Sequence, residues 1–105
     1  MIFLLLATVV LATEPRFREC RVSVGEVQSC SATSFTGEAP VERDNGRIYD
    51  CTVSVGVLTS CFRPRTGLVV LPRGEGGKHV SCQVEHGIVT RCDATGFTGS
   101  AVLWR

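Results

Sequence analysis

The residues of this chain best suited to chemistry are its six cysteines, which fall into three pairs: Cys20 and Cys30, Cys51 and Cys61, Cys82 and Cys92. Thiols at fixed spacing either oxidise to disulfides or, with histidines, ligate zinc. His79, Cys82, His86 and Cys92 could be drawn together as a zinc set. Only the third pair has histidines near it, however, whereas its cysteines match those of the other two pairs. What recurs belongs to the framework, so three disulfides are expected and no metal.

Two further groups invite a binding role. Arg63-Pro64-Arg65-Thr66 follows directly on Cys61 and Phe62. Anchored by a cystine, an exposed Arg65–Thr66 bond could present itself to a trypsin-like protease as an inhibitory loop, since preorganisation lowers the entropy cost of binding. Phe35, Phe97 and Trp104 lie in or beside equivalent segments and could line shallow sugar sites, with core packing as the competing use of the rings. Serines and threonines are plentiful, but no nucleophile, base and orienting group recur in a local motif. The chain is therefore expected to be non-enzymatic and to need no cofactor.

The elements that must position these residues repeat. Cys51 follows Cys20, and Cys82 follows Cys51, by 31 positions, and Gly25, Gly56 and Gly87 stand at the midpoints of the three pairs. Each unit continues into a Thr-Gly step (Thr36-Gly37, Thr66-Gly67, Thr98-Gly99) and then an apolar run. β-Branched residues alternate with polar ones and glycine turns punctuate the chain every eight to twelve residues, which is the pattern of strands. The expected fold is all-β: three tandem repeats of three strands, spanning about 16–46, 47–77 and 78–105. A unit this small cannot bury its own faces, so the copies must pack on one another, as a closed pseudo-threefold prism or trefoil or as a short linear stack.

Side-chain parity ties the hairpin tips to the cystine pairing. A three-residue tip such as Val24-Gly25-Glu26 puts Cys20 opposite Cys30 and keeps each bridge inside its repeat. A two-residue tip pairs Val22 with Val27, Val53 with Leu58 and Val84 with Val89, and turns the second cysteine to the other face. Bridges would then run between repeats, from Cys30 to Cys51, from Cys61 to Cys82 and from Cys92 to Cys20. Both registers remain open on parity; self-contained units duplicate most simply, which favours internal bridges. Gly96-Phe97-Thr98-Gly99 resembles the closing phrase of EGF modules, but the cysteine that follows it there is missing here.

Residues 1–12 form an apolar stretch ending in small residues, with Val10 and Ala12 suited to the positions before a signal-peptidase cut. No Lys or Arg precedes it, and it is shorter than the ~20 residues needed to cross a bilayer. It is expected to be a signal peptide, leaving 13–105 as a single domain, secreted and extracellular, with no membrane association once mature. The formal net charge of +1 gives no electrostatic bias toward nucleic acid. Lys78 is the only lysine; the remaining positive charge is arginine, which suits bidentate recognition of carboxylates and sulfates. Together these features predict a small secreted repeat protein that recognises an extracellular protein or glycan or serves as a matrix component. A protease inhibitor and a small lectin are the alternatives.

Overall fold

The computed structural model describes residues 14–105; the expected signal peptide lies outside the described residues. The chain forms nine strands: β1 (Phe17–Ser23), β2 (Glu26–Cys30), β3 (Gly37–Glu42), β4 (Ile48–Ser54), β5 (Val57–Pro64), β6 (Gly67–Leu71), β7 (Val80–Glu85), β8 (Ile88–Cys92) and β9 (Gly99–Trp104). A 3-10 turn at Glu75–Gly77 is the only other element among the described residues. The fold is all-β, and every strand pair is antiparallel.

The strands make three three-stranded sheets, ordered β2-β1-β9, β3-β4-β5 and β6-β7-β8. The three strands of one sequence unit do not share a sheet. Each Thr-Gly strand leaves its own hairpin and completes the next one: β3 pairs with β4, β6 with β7, and β9 returns to β1. The reason lies in the segment that follows each hairpin. After Cys30, the Ser31 N–H donates to the Glu19 carbonyl and the Phe35 N–H to that of Phe17, continuing along β1 on the side that β2 began. Asp93 and Phe97 do the same with Ser81 and His79, while β5 itself runs on to Pro64 opposite Tyr49. That flank of the central strand is then full. The following strand must find another hairpin.

All three disulfides lie within a hairpin, Cys20–Cys30, Cys51–Cys61 and Cys82–Cys92, with Cα atoms 3.9 Å apart in each. The tips are not three-residue loops. They are two-residue turns, Val24-Gly25, Val55-Gly56 and His86-Gly87, with both central φ angles positive. Val22 therefore opposes Val27, Val53 opposes Leu58 and Val84 opposes Val89. A bulged residue then restores the parity: Gln28, Thr59 and Thr90 have no partner, so the cysteines face each other again. The Thr59 hydroxyl donates to the Thr52 carbonyl across the strand (3.0 Å) and that of Thr90 to Gln83 (3.1 Å), which holds two of the bulges in place.

The bulge lets valine and cystine share one face. Val22, Val53 and Val84 are fully buried, as are Cys51 and Cys82, and Cys20 is 1% exposed. Small or aliphatic residues of the crossing strands close over them: Ala39 opposite Cys51, Val69 opposite Cys82, Ala101 opposite Cys20. Burying one valine contributes roughly 1.5–3 kcal/mol. Ile48, from the second sheet, packs into the cluster of Val69, Leu71, Val80, Cys82 and Val84 on the third, so these two sheets share core.

Candidate functional site

Phe35, Arg65, Thr66 and Phe97 lie where one sheet meets the next. At each meeting point three main-chain hydrogen bonds form a closed triangle. Phe17 N–H donates to Gly56 (3.0 Å), Gly56 to Phe35 (2.7 Å) and Phe35 to Phe17 (2.8 Å). The second triangle links Ile48, Gly87 and Arg65 at 2.8–2.9 Å, and the third links His79, Gly25 and Phe97 over the same range. Each joins the start of a central strand, the glycine at the next hairpin tip, and the residue before a Thr-Gly step. Phe35, Arg65 and Phe97 thus occupy one structural position in three settings.

The Thr-Gly step has a physical reason at these corners. The threonine hydroxyl accepts the N–H of the first tip residue: Val55 to Thr36 at 2.8 Å, His86 to Thr66 at 3.0 Å, Val24 to Thr98 at 2.9 Å. The glycine that follows has φ of 150° at Gly37, 139° at Gly67 and 149° at Gly99, where an L side chain is strained. It also lies directly under the side chain two positions earlier. A Cβ would stand 3.0 Å from the Phe35 ring, 3.3 Å from the Arg65 guanidinium and 2.9 Å from the Phe97 ring.

The two phenylalanines are consequently half-buried over their own glycines, at different corners. Trp104 is elsewhere: it is 55% exposed at the end of β9 and packs edge-on against Phe17, with ring centroids 4.8 Å apart. The three aromatic candidates do not converge on one cleft.

The arginine segment is drawn toward a carboxylate. Asp50, on β4, has a side chain only 11% exposed and takes Arg63 Nε at 2.9 Å and Arg65 Nη1 at 3.3 Å. Arg65 Nη2 donates to the Leu68 carbonyl at 3.0 Å. The Arg63 guanidinium also stands 4.8 Å from the Phe62 ring centroid, within cation–π reach. A surface depression of about 170 Å³ beside this cluster is lined by Glu38, Ala39, Pro40, Asp50, Arg63 and Arg65. Arg63 and Pro64 are strand residues, and only Arg65 and Thr66 connect β5 to β6. An inhibitory loop needs its arginine free to enter a protease pocket and its main chain free to pair with the enzyme. Arg65 donates its N–H to Ile48, accepts one from Gly87 and commits its side chain to Asp50 and Leu68, while Thr66 holds His86.

Asp50 was the site residue that sequence reasoning missed. Its signal was faint: an acid just before Cys51, where the other units carry Glu19 and Ser81. Arg43 was missed as well; its Nη1 lies 3.0 Å from Cys61 Sγ at the rim of the turn in which the Arg47 N–H donates to Asn45 Oδ1. Cys82 and Cys92 are joined to each other, and no cluster of three or more metal-ligating side chains occurs among the described residues. Comparison with family models, with curated proteins and with solved structures finds no match to this chain.

Proposed function

We propose that this is a secreted, non-enzymatic protein whose three sheets are tandem copies of one unit in pseudo-threefold order, offering a rigid surface to an extracellular protein or glycan or building extracellular matrix. The observation that carries this reading is the covalent staple in each of the three hairpins with two-residue tips, in so small a domain, which fits an oxidising compartment. The equivalence of the three corner triangles supports the tandem arrangement, because the same three roles recur at corresponding positions. Arginines around Asp50 and the half-exposed Trp104 are the side chains best placed for surface recognition. The inhibitor alternative draws less support, since Arg65 would have to surrender both main-chain bonds and both side-chain partners to engage a protease.

The test is expression of the whole chain in a secretory cell line. The expected product is in the medium, begins after Ala12 and carries three intact disulfides with no free thiol. Retention inside the cell with reduced cysteines would overturn the assignment. Arrays of glycans and immobilised matrix proteins then ask what it binds: saturable binding weakened by Asp50→Ala or Trp104→Ala supports surface recognition, and turnover of any presented substrate would count against a non-enzymatic role.

A further inference from the structure

At two of the three places where a strand crosses to its neighbour, the chain itself ties the partners together. The turn at 43–47 joins β3 to β4, and residues 72–79 join β6 to β7. At the third, the partners are β9 and β1, among the described residues the only paired strands that are not consecutive in sequence. Their joint is entirely non-covalent. It consists of the ladder from Phe17 opposite Trp104 to Val22 opposite Gly99, the reciprocal bonds of Arg16 and Arg105 (3.1 and 2.9 Å), the bond from Arg18 to the Arg105 carbonyl, the bonds from Val24 and Gly25 to Thr98 and Phe97, and the Phe17–Trp104 contact. No disulfide crosses it, because Cys20 is bonded to Cys30 within the adjoining hairpin.

That staple gives the joint a second property. When β9 departs, the Cys20–Cys30 bond still pins β1 to β2. Its buried face, Cys20 and Val22, then lacks the Ala101 and Gly99 that oppose it, and its tip lacks the Thr98 hydroxyl and Phe97 carbonyl that accept from Val24 and Gly25. The strand that meets all four demands is another β9 with its own Phe97-Thr98-Gly99 lead. The connection before that lead, Asp93-Ala94-Thr95, is exposed between the bonds that hold Asp93 to Ser81 and Phe97 to His79, while Gly96 lies against the main chain of Val24, so Ala94 and Thr95 are the residues left to redirect the exchangeable piece.

We propose that residues 97–105 exchange between two copies of this chain, each β9 completing the β1–β2 hairpin of the other. This goes beyond the functional reading above and does not depend on it. The exchanged joint contains the same bonds as the closed one, so the opposing terms are the entropy of association and the new hinge conformation. Intramolecular closure acts at an effective concentration in the ~mM range for a short connection, so exchange is favoured in concentrated protein warmed toward unfolding.

Two singly substituted chains, Arg21→Cys and Ser100→Cys, test the idea, because these residues oppose each other on exposed positions of β1 and β9. The two are mixed at millimolar concentration, warmed, cooled and oxidised, then separated by non-reducing electrophoresis and peptide-mapped. A covalent heterodimer linking residue 21 of one chain to residue 100 of the other, at least tenfold above the Arg21→Cys homodimer, is expected. Unmodified protein handled in the same way should give a dimer by size-exclusion chromatography with light scattering. The oxidised double variant Arg21→Cys/Ser100→Cys, locked within one chain, should remain monomeric. Heterodimer no more abundant than homodimer, or unmodified protein that stays monomeric throughout, would overturn the proposal.

Discussion

Val24 and Val55 hold φ of 46° and 48°, a left-handed conformation that is uncommon for any L residue and a true outlier for a β-branched one. Left-handed backbone costs roughly 1–2 kcal/mol for a residue with a Cβ, and asparagine escapes much of this, which is why Asn-Gly dominates two-residue hairpin tips of this type. Little packing opposes the exchange. Val24 is 60% and Val55 64% exposed, so about a third of a side chain is buried, contributing roughly 0.5–1 kcal/mol. The hydrogen bonds to Thr98 and Thr36 come from the valine main chain and survive any side-chain change. Val55→Asn should therefore stabilise the oxidised protein by about 0.5–1 kcal/mol, or roughly 2–8 °C in Tm for a domain of this size. Val24→Asn should do the same, and the two should add, because the tips belong to different sheets. Val55→Ala is the control: it keeps the Cβ penalty, loses the packing, and should destabilise. Thermal and denaturant unfolding followed by circular dichroism reads the parent, the three single variants and the Val24→Asn/Val55→Asn double variant. If Val55→Asn lowers the midpoint as much as Val55→Ala does, the tip is held by its side chain and the strain argument fails.

The remaining expectations concern the corners and the staples. Gly56→Ala should cost more than ~2 kcal/mol, because its Cβ would stand 2.7 Å from that of Arg16, whereas Gly46→Ala, with a similar φ but open space around it, should cost about 1 kcal/mol; chemical denaturation separates the two. Thr36→Val, Thr66→Val and Thr98→Val each remove the acceptor of a tip N–H at nearly constant volume and should lose about 1 kcal/mol apiece, with faster amide exchange at residues 55, 86 and 24 respectively. Replacing Cys51 and Cys61 together by serine opens a loop of sequence separation 10 and should cost about 2.5–3 kcal/mol on the chain-entropy estimate, measured as a shift in the urea midpoint. Asp50→Ala should cost about 1–2 kcal/mol, discounted from a fully buried pair because Arg63 and Arg65 retain solvent access; a double-mutant cycle with Arg65→Phe should recover part of that loss.

Three disulfides and the strands could be read from the sequence because each recurs three times and is local; the length of the hairpin tips could not, since the spacing favours three residues and the turns have two. The exchange of strands could not. Alternation marks 37–42 as a strand but is blind to which hairpin it joins; that choice is made by residues 31 and 35, whose main-chain bonds to β1 consume the flank that β3 would have used. The cystine register sits between these cases. Paired valines demand a two-residue tip and facing cysteines demand odd spacing, so the two patterns conflict unless one residue is left over. That conflict was visible, and its resolution is the unpaired Gln28, Thr59 or Thr90.

The corner residues show the same limit. Phe35 and Phe97 group together by type and Arg65 by its neighbours, yet all three have one role. The clue is a spacing: Thr36 and Thr98 follow their cysteines by six positions, Thr66 by five. With one residue fewer, β5 stays paired as far as Pro64 and the connection to β6 shrinks to two residues. The side chain over Gly67 is then a guanidinium in place of a ring. A cation half-buried at that corner requires a carboxylate within reach, and Asp50 supplies it from the central strand. The shorter connection after Cys61 thus goes together with the longer β5 and with the Arg65–Asp50 ion pair at this corner.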